Sequence, residues 1–390
     1  MQGTVPERNH LIVGGGIGGL VTAIAFGQKG HNGTVLERSS FKDESGAGIQ
    51  LGPNATRILR KLGVLQAVEA SAFRPESLVM FDALSGQKLA TVPLGASIEA
   101  RYRAPYLTLH RADLHSALLT SCEQLSSVTL KPGFDVKSID QSDNEIVAGS
   151  DERHVSGDIL VGADGLWSGM RKFVAPNAQP RFAHATAYRT MLPRETLPDQ
   201  FRTPTVGLWL GPKTHLVHYP VRGGKDLNVV AVVEGGDERE GWNAPAEPAQ
   251  FLSRFAGWCK ESKSLLESAT EWRGWSLHCL PSLRHWSKGH VVLLGDAAHP
   301  VLPYLAQGAA LAIEDAAALV DCLNEKSDPA EAFRAYQRLR QNRASRVQRR
   351  SLRLGRYYHF KGPARLVRNA LLTRRDPDSL LASLDWLYRA

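Results

Sequence analysis

Six residues constrain this chain more than any others. Gly14-Gly15-Gly16-Ile17-Gly18-Gly19 follows a short apolar run at 10–13 that reads as a strand, and opens a helical pattern that continues to about Gly30. A second strand at 34–36 ends on Glu37, 23 residues after Gly14. This strand–glycine–helix–strand order is a βαβ dinucleotide fingerprint. Gly14 allows the tight turn, Gly16 lets backbone approach a pyrophosphate, and Gly19 lets helix and strand pack closely. Glu37 is spaced to accept hydrogen bonds from ribose hydroxyls, with Arg38 next to it. The fingerprint points to an adenine dinucleotide without separating FAD from NAD.

Residues 291–316 form a second βα unit. The apolar run 291–294 is closed by Gly295, and Asp296 follows at the strand's carboxyl end, where open α/β sheets gather ligand groups. Pro300 and Pro303 stiffen the next loop. A nearly all-apolar helix then starts at Gly308, so its first N–H groups and positive dipole end lie open to a ligand. A carboxylate beside a bare helix start suits a flavin, which has a ribityl chain and a ring that gains negative charge on reduction. An ordinary buried βα unit is the plainer reading.

A chain of 390 residues has room for two or three domains. Its longest apolar stretches, near 11–27 and 309–323, are interrupted by glycines or by Glu314 and Asp315, so no membrane span is expected. No signal peptide is read at the start. Cys122, Cys259, Cys279 and Cys322 lie far apart without a C-x-x-C, which fits reduced cytoplasmic thiols and no metal site. The net charge of +8 is uneven. Residues 334–375 carry 14 Lys/Arg and no acid; with that block removed, the rest of the chain carries −6. The block interleaves arginines with helix-spaced Leu, Tyr and Val, which reads as a solvated helical face and not as a nucleic-acid site.

Between the two βα units the texture changes twice. Gly46 to Asn54 is a glycine-rich stretch whose glycines, Gly48 among them, would let backbone pass close to a flat ring. A helix at 55–62, a hairpin around Ser85-Gly86, a helix from about 111 to Cys122, and a meander of short strands to Val155 follow, with turns at Pro132-Gly133 and Asp143-Asn144. The run 157–165 is another buried strand ending in a carboxylate, Asp164, with Ser168 and Arg171 on the next helix. From 181 to 280 alternating strands dominate, at 205–210, 215–221 and 227–233. The expected fold is α/β. It has a discontinuous Rossmann-like domain (1–75, 100–180, 281–327), an inserted β-rich substrate domain (76–99, 181–280) and a C-terminal helical segment (328–390).

Taken together, GAGIQLGPN, LHRADLHSALL, DILVGADGLWS, GDAAHP and LAQGAALAIEDA resemble the flavoprotein aromatic hydroxylases, single-component FAD monooxygenases typified by p-hydroxybenzoate hydroxylase. The subgroup it is most similar to is the salicylate, 3-hydroxybenzoate and 6-hydroxynicotinate hydroxylases, across essentially the whole chain. The resemblance implies that Gly14, Gly16 and Gly19 receive the FAD pyrophosphate and Glu37 the adenosine ribose. It implies that Arg111 lies beside the cofactor, that Asp164 contacts it indirectly, and that Gly295-Asp296 holds the ribityl chain. Backbone at Gln307, Gly308 and Ala309 would meet the isoalloxazine. A helix or turn cap is the structural alternative for Asp164. Only one G-x-G-x-x-G is present, so no separate NAD(P)H domain is expected. The W-x-W-x-I-P stretch of flavin halogenases is missing; Trp272-Arg-Gly-Trp275-Ser-Leu does not fit it.

The implied reaction uses NAD(P)H to reduce FAD and O₂ to form a C4a-hydroperoxide that attacks an electron-rich ring. Phenolate is a better nucleophile than phenol, so a base near the substrate hydroxyl would help. His215 and Tyr219 share one strand face by period 2, and match a His/Tyr pair of the family; Leu216 and His218 share the other face. His215 is the candidate base, Tyr219 its candidate hydrogen-bond partner, and His218 the reserve, since the inward face is not legible. Cross-strand packing is the alternative for all three. Gln50 could touch substrate and Arg189 a carboxylate, though a packing role for Gln50 and a surface ion pair for Arg189 stay open. Some relatives carry a polar residue in the loop after GDAAHP, where this chain has Pro303 and Tyr304. The expected activity is salicylate-like, with loss of CO₂. The alternatives are 3-hydroxybenzoate or hydroxypyridine-acid hydroxylation, or a non-catalytic flavin-binding protein using its basic tail. Expected partners are a small aromatic acid, O₂ and NADH or NADPH, in a monomer or homodimer.

Overall fold

The strands Asn9–Val13, Ile159–Gly162 and Val291–Leu293 lie side by side and parallel in a computed structural model that describes residues 9–41, 47–142, 145–239, 241 and 243–389. They are buried almost throughout, which is why they read as continuous apolar runs and not as alternating ones. Asn32–Glu37 and then Val128–Pro132 extend the sheet beyond Asn9–Val13, and Ser287–Lys288 adds an antiparallel edge. Because the strands are parallel, Gly14, Asp164 and Gly295-Asp296 all emerge at one end of it. Helix Ile17–Gln28 packs on Arg111–Glu123 and on Gly308–Glu325, closing the largest core.

The meander is a three-stranded sheet. Val128–Pro132 belongs to the parallel sheet, and Ser138–Gln141, Ile146–Ser150 and Arg153–Gly157 alone form a three-stranded antiparallel sheet. The Asp143-Asn144 turn and Gly46 lie outside the described residues. Gly133 has a φ of 64°, as a turn after Pro132 requires.

A second, eight-stranded sheet takes Ser77–Asp82 and Lys88–Pro93 from one stretch and six strands from 181–279. Two of those, the long strand Arg181–Pro193 and Trp272–Cys279, do not stand out in the sequence. Register decides which residues share a face. Arg189 pairs with Val230, which pairs with Val217; Met191 pairs with Asn228, which pairs with Tyr219. Leu216, Leu227, Val229 and Ala231 point the other way, into a core with Phe251, Phe255, Leu265 and Leu266 from the helical stretch after 247. The Arg189–Val217–Tyr219 face meets Val301, Leu305 and Leu311 of the first domain.

The C-terminal segment is helical, as its pattern predicts: Pro329–Tyr358, Gly362–Thr373, Pro377–Ala382 and Asp385–Tyr388. Asp328 caps the first helix by accepting the Ala330 N–H. The basic block is not simply a solvated face. Arg340 and Arg343 turn inward onto Glu314 and Asp315, and Arg365 and Arg368 onto the fully buried Asp82. Arg346 and Arg350 flank the Trp386 ring at 4.5 and 4.6 Å. No helix among the described residues is long and apolar enough to cross a membrane.

Candidate active site

The glycine loop is built by close approach. Gly14 has a φ of 106°, and a Cβ there would lie 2.5 Å from the Ala163 carbonyl oxygen. A Cβ on Gly19 would lie 1.9 Å from the Gly14 oxygen, whereas one on Gly16 would meet nothing within 4 Å. Gly16 is thus the glycine that opens the loop outward. No side chain caps the helix Ile17–Gln28, so its first N–H groups remain available as donors. Glu37 accepts from Gly15 N–H at 2.7 Å and from Ser39, which fixes its carboxylate beside the loop; Arg38 is exposed one step further on. The His115 ring contacts the Gly15 oxygen at 2.7 Å, a support the sequence pattern had not singled out.

Asp164 takes the capping geometry that was its structural alternative. It receives the Ser168 hydroxyl at 2.5 Å and the Met170 N–H at 3.1 Å, ahead of the helix Gly169–Val174. Burial raises its pKa, and these bonds pull the other way. Asp296 is exposed to solvent between the buried Gly295 and Ala297. Desolvation there raises its pKa against the pull of His299 and Arg111. Gly295 adopts φ 61° beside Ala312, and its N–H donates to Asp315. The helix Gly308–Glu325 starts without a side-chain cap, after Gln307, whose amide oxygen accepts from Asn54 at 3.0 Å.

Gly48–Leu51 and Leu107–His110 pair as a two-stranded ribbon, bringing Gln50 and Arg111 to the same cleft, and Arg111 N–H donates to Ala47. Thr108 ties this ribbon to the His215 strand through the Pro220 carbonyl at 2.5 Å. Gly48 owes its small size to a protein neighbour: a Cβ would strike the Asn228 side chain at 2.4 Å, and Asn228 accepts the Gly48 N–H. That contact by itself requires a glycine at this position. Asn228 was not legible as a site residue.

The sheet face is settled. His215, Val217 and Tyr219 look toward the first domain, and His218 lies on the opposite face against Phe201, which removes it as the reserve base. Gln50 accepts the Tyr106 hydroxyl at 2.7 Å and hydrogen-bonds Tyr219, whose pKa burial raises. Arg189 is buried, not on the surface: it donates to Asn243 at 2.5 Å and stands 5.3 Å over Trp275. Burial, with Arg111 and Arg273 nearby, lowers its pKa to about 10. Pro303 is exposed at the head of a short turn, while the Tyr304 ring lies 5.4 Å from the His215 ring. The His215 Nδ1 lies 2.9 Å from His359 Nε2, a partner that only the fold brings in.

These features coincide with known relatives. The FAD binding domain family matches residues 7–351. Over 384 residues the chain is 35% identical to 3-hydroxybenzoate 6-hydroxylase 1 of Aquipseudomonas alcaligenes, covering 98% of each. The chain belongs to the FAD-dependent aromatic hydroxylases. This hydroxylase is also 34% identical, over 357 residues, to 6-hydroxynicotinate 3-monooxygenase of Bordetella bronchiseptica, covering 90% of this chain and 91% of that one. Its fold matches salicylate hydroxylase in a substrate complex with a TM-score of 0.83 at 22% identity, over 98% and 96% of the two chains. The hydroxylase fits a flavin dinucleotide at both ends of its cleft. The open side of Gly16 and the uncapped helix behind it suit a pyrophosphate, and the accessible Asp296 beside a second uncapped helix suits a polyol and a reducible ring.

Proposed function

We propose that the chain is an FAD monooxygenase that uses NAD(P)H and O₂ to hydroxylate a small aromatic acid of the 3-hydroxybenzoate type without loss of CO₂. The observation that carries the chemistry is the single sheet face bearing His215, Tyr219 and Arg189 opposite the start of helix Gly308–Glu325. The full-length likeness to a 3-hydroxybenzoate hydroxylase favours that substrate class. The salicylate-like, decarboxylative expectation gives way, because its support is a 22% likeness that speaks to fold alone. The four inward-paired arginines leave the basic-tail alternative with less to stand on.

When bound, FAD supplies the redox chemistry: it accepts hydride from NAD(P)H and activates O₂. The protein's part is holding and proton handling. Gly14, Gly16 and Gly19 take the pyrophosphate; Glu37 and Arg38 line the ribose end; Asp296 takes the ribityl chain. Arg111, Gly48 and Asp164 line the cleft between, and the backbone of Gln307, Gly308 and Ala309 meets the ring. Arg189, with Arg111 and Arg273 as neighbouring cations, receives the substrate carboxylate. Its strand lies two strands from the His215 strand, roughly 10 Å away, a span suited to a hydroxybenzoate and its hydrogen bonds. Tyr219 and Gln50 fix the ring, Pro303 borders it, and His215 takes the hydroxyl proton. Burial holds the His215 pKa well below the usual histidine value, so the ring is neutral and able to accept at neutral pH.

The test is a panel of 3-hydroxybenzoate, 6-hydroxynicotinate and salicylate, each with NADH and NADPH. The expected result is matched consumption of O₂ and reduced nicotinamide with 3-hydroxybenzoate, giving 2,5-dihydroxybenzoate. Coupled conversion of salicylate to catechol and CO₂, with 3-hydroxybenzoate yielding only H₂O₂, would overturn the reading.

A further inference from the structure

We propose that His215, His359 and Glu234 form a relay that carries the substrate hydroxyl proton from the buried sheet face to solvent. The proposal rests on the reading of His215 as the base and adds its exit route. His215 is 4% exposed and gives its Nδ1 to His359 Nε2 at 2.9 Å. His359, at the carboxyl end of helix Pro329–Tyr358, is 8% exposed. Its Nδ1 lies 3.5 Å from Glu234 Oε2, within ion-pair distance, and the Glu234 side chain is 51% exposed at the end of strand Asp226–Glu234. Three groups thus lead stepwise from the interior to water.

The end charge sets the direction of every bond. A carboxylate only accepts, so Glu234, which faces His359 Nδ1 at 3.5 Å, favours the Nδ1–H form of neutral His359 as the proton is handed on. The His359 Nε2 is then an acceptor, which makes His215 the donor through Nδ1–H. That leaves a lone pair on His215 Nε2, the form a base requires. Tyr304 and Tyr358 enclose the His215 ring, each with its centroid 5.4 Å away. Burial and then the Arg368 charge bring the His359 pKa to about 4, so both rings are neutral at working pH.

The same burial gives the relay its purpose. An imidazolium is disfavoured at His215, so a proton taken there must be handed on. The transfer balances in three moves. The substrate O–H bond breaks as a bond to His215 Nε2 forms. The His215 Nδ1 proton passes to His359 Nε2, and the His359 Nδ1 proton passes to the Glu234 carboxylate. Both rings end neutral in the opposite tautomer, the substrate ends as phenolate, and Glu234 releases its proton to water. His359 and Glu234 do not touch substrate; they are positioning and relay residues.

The experiment mixes the FAD-loaded enzyme with 3-hydroxybenzoate, without reduced nicotinamide, in weakly buffered solution. Proton release is followed by a pH dye and bound phenolate by its absorbance. In the parent, the two signals are expected to rise together. His359→Gln, which keeps a polar side chain but cannot exchange tautomers, is expected to slow release at least ~10-fold, the lower range for losing one proton-transfer group. Glu234→Gln, a change at the surface, is expected to slow it less and to be rescued by added imidazole. Unchanged release in both variants, while His215→Ala abolishes phenolate formation, overturns the relay and leaves His215 as base. Unchanged phenolate formation in His215→Ala overturns both. A parent that forms bound phenolate without releasing a proton also overturns the relay.

Discussion

Asp315→Asn tests the buried support beneath Gly295-Asp296, where we propose the flavin sits. Asp315 is fully buried and accepts from the Gly295 N–H at 3.2 Å, His299 Nε2 at 2.5 Å and Arg340 Nε at 2.7 Å, and Tyr336 hydrogen-bonds it as well. Burial alone would raise its pKa, but His299 and Arg340 outweigh that and hold it to about 2. A carboxyl lowered from 3.8 to about 2 contributes on the order of 2 kcal/mol at neutral pH. The sign is that of a depressed acid: the contribution is present above about pH 4 and is lost as pH falls through about 2. Asparagine costs more than protonation. Its single acceptor oxygen cannot serve the same donors, and Glu314 is left as the carboxylate for both Arg340 and Arg343. Removing one partner of a buried pair costs about 3–5 kcal/mol. It also loosens the Gly295 N–H that orients Asp296. Urea unfolding of the FAD-loaded enzyme, followed by release of flavin fluorescence and by near-ultraviolet circular dichroism, is expected to show a loss in that range and faster flavin release. A loss under ~1 kcal/mol with unchanged flavin release would refute the argument, since that is the value of a mere surface pair.

Asp296→Ala is expected to reduce FAD content markedly with the fold intact, read as flavin absorbance per protein and far-ultraviolet circular dichroism; full FAD content would remove Asp296 from the site. Gly19→Ala is expected to abolish FAD retention, because its Cβ has 1.9 Å to the Gly14 oxygen and only a backbone shift can relieve it. A variant that binds FAD like the parent would show that the loop yields more easily than its contacts imply.

Much of the first domain was legible because its signals are local. The glycine fingerprint, Glu37, the strand ending at Asp164 and the Gly295-Asp296 turn each declare themselves within a few residues, and parallel pairing then gathers them. The substrate side was less legible because it is made by register. Nothing local places Arg189 on the Tyr219 face, or turns His218 away; the antiparallel pairings of the Arg181–Pro193 and Asp226–Glu234 strands do that. Of the two strands that escaped notice, Arg181–Pro193 lacks clean alternation because its middle, 185–189, is buried on both faces. His359 lies 144 residues from His215 and could not be tied to it beforehand. One signal was available and unused. Glu314 and Asp315 are consecutive acids in an otherwise apolar helix, and buried acids need buried cations. The arginines of the basic block are those partners.

The most direct test of the account is the fate of reducing equivalents in His215→Ala. The variant should retain FAD and still oxidise NAD(P)H in the presence of 3-hydroxybenzoate. Its hydroxylation rate should fall by about 10²–10⁴-fold, the usual loss for a general base, with the balance of O₂ appearing as H₂O₂. Hydroxylation at the parent rate, with unchanged coupling and an unchanged pH profile, would contradict the claim that this sheet face handles the substrate proton.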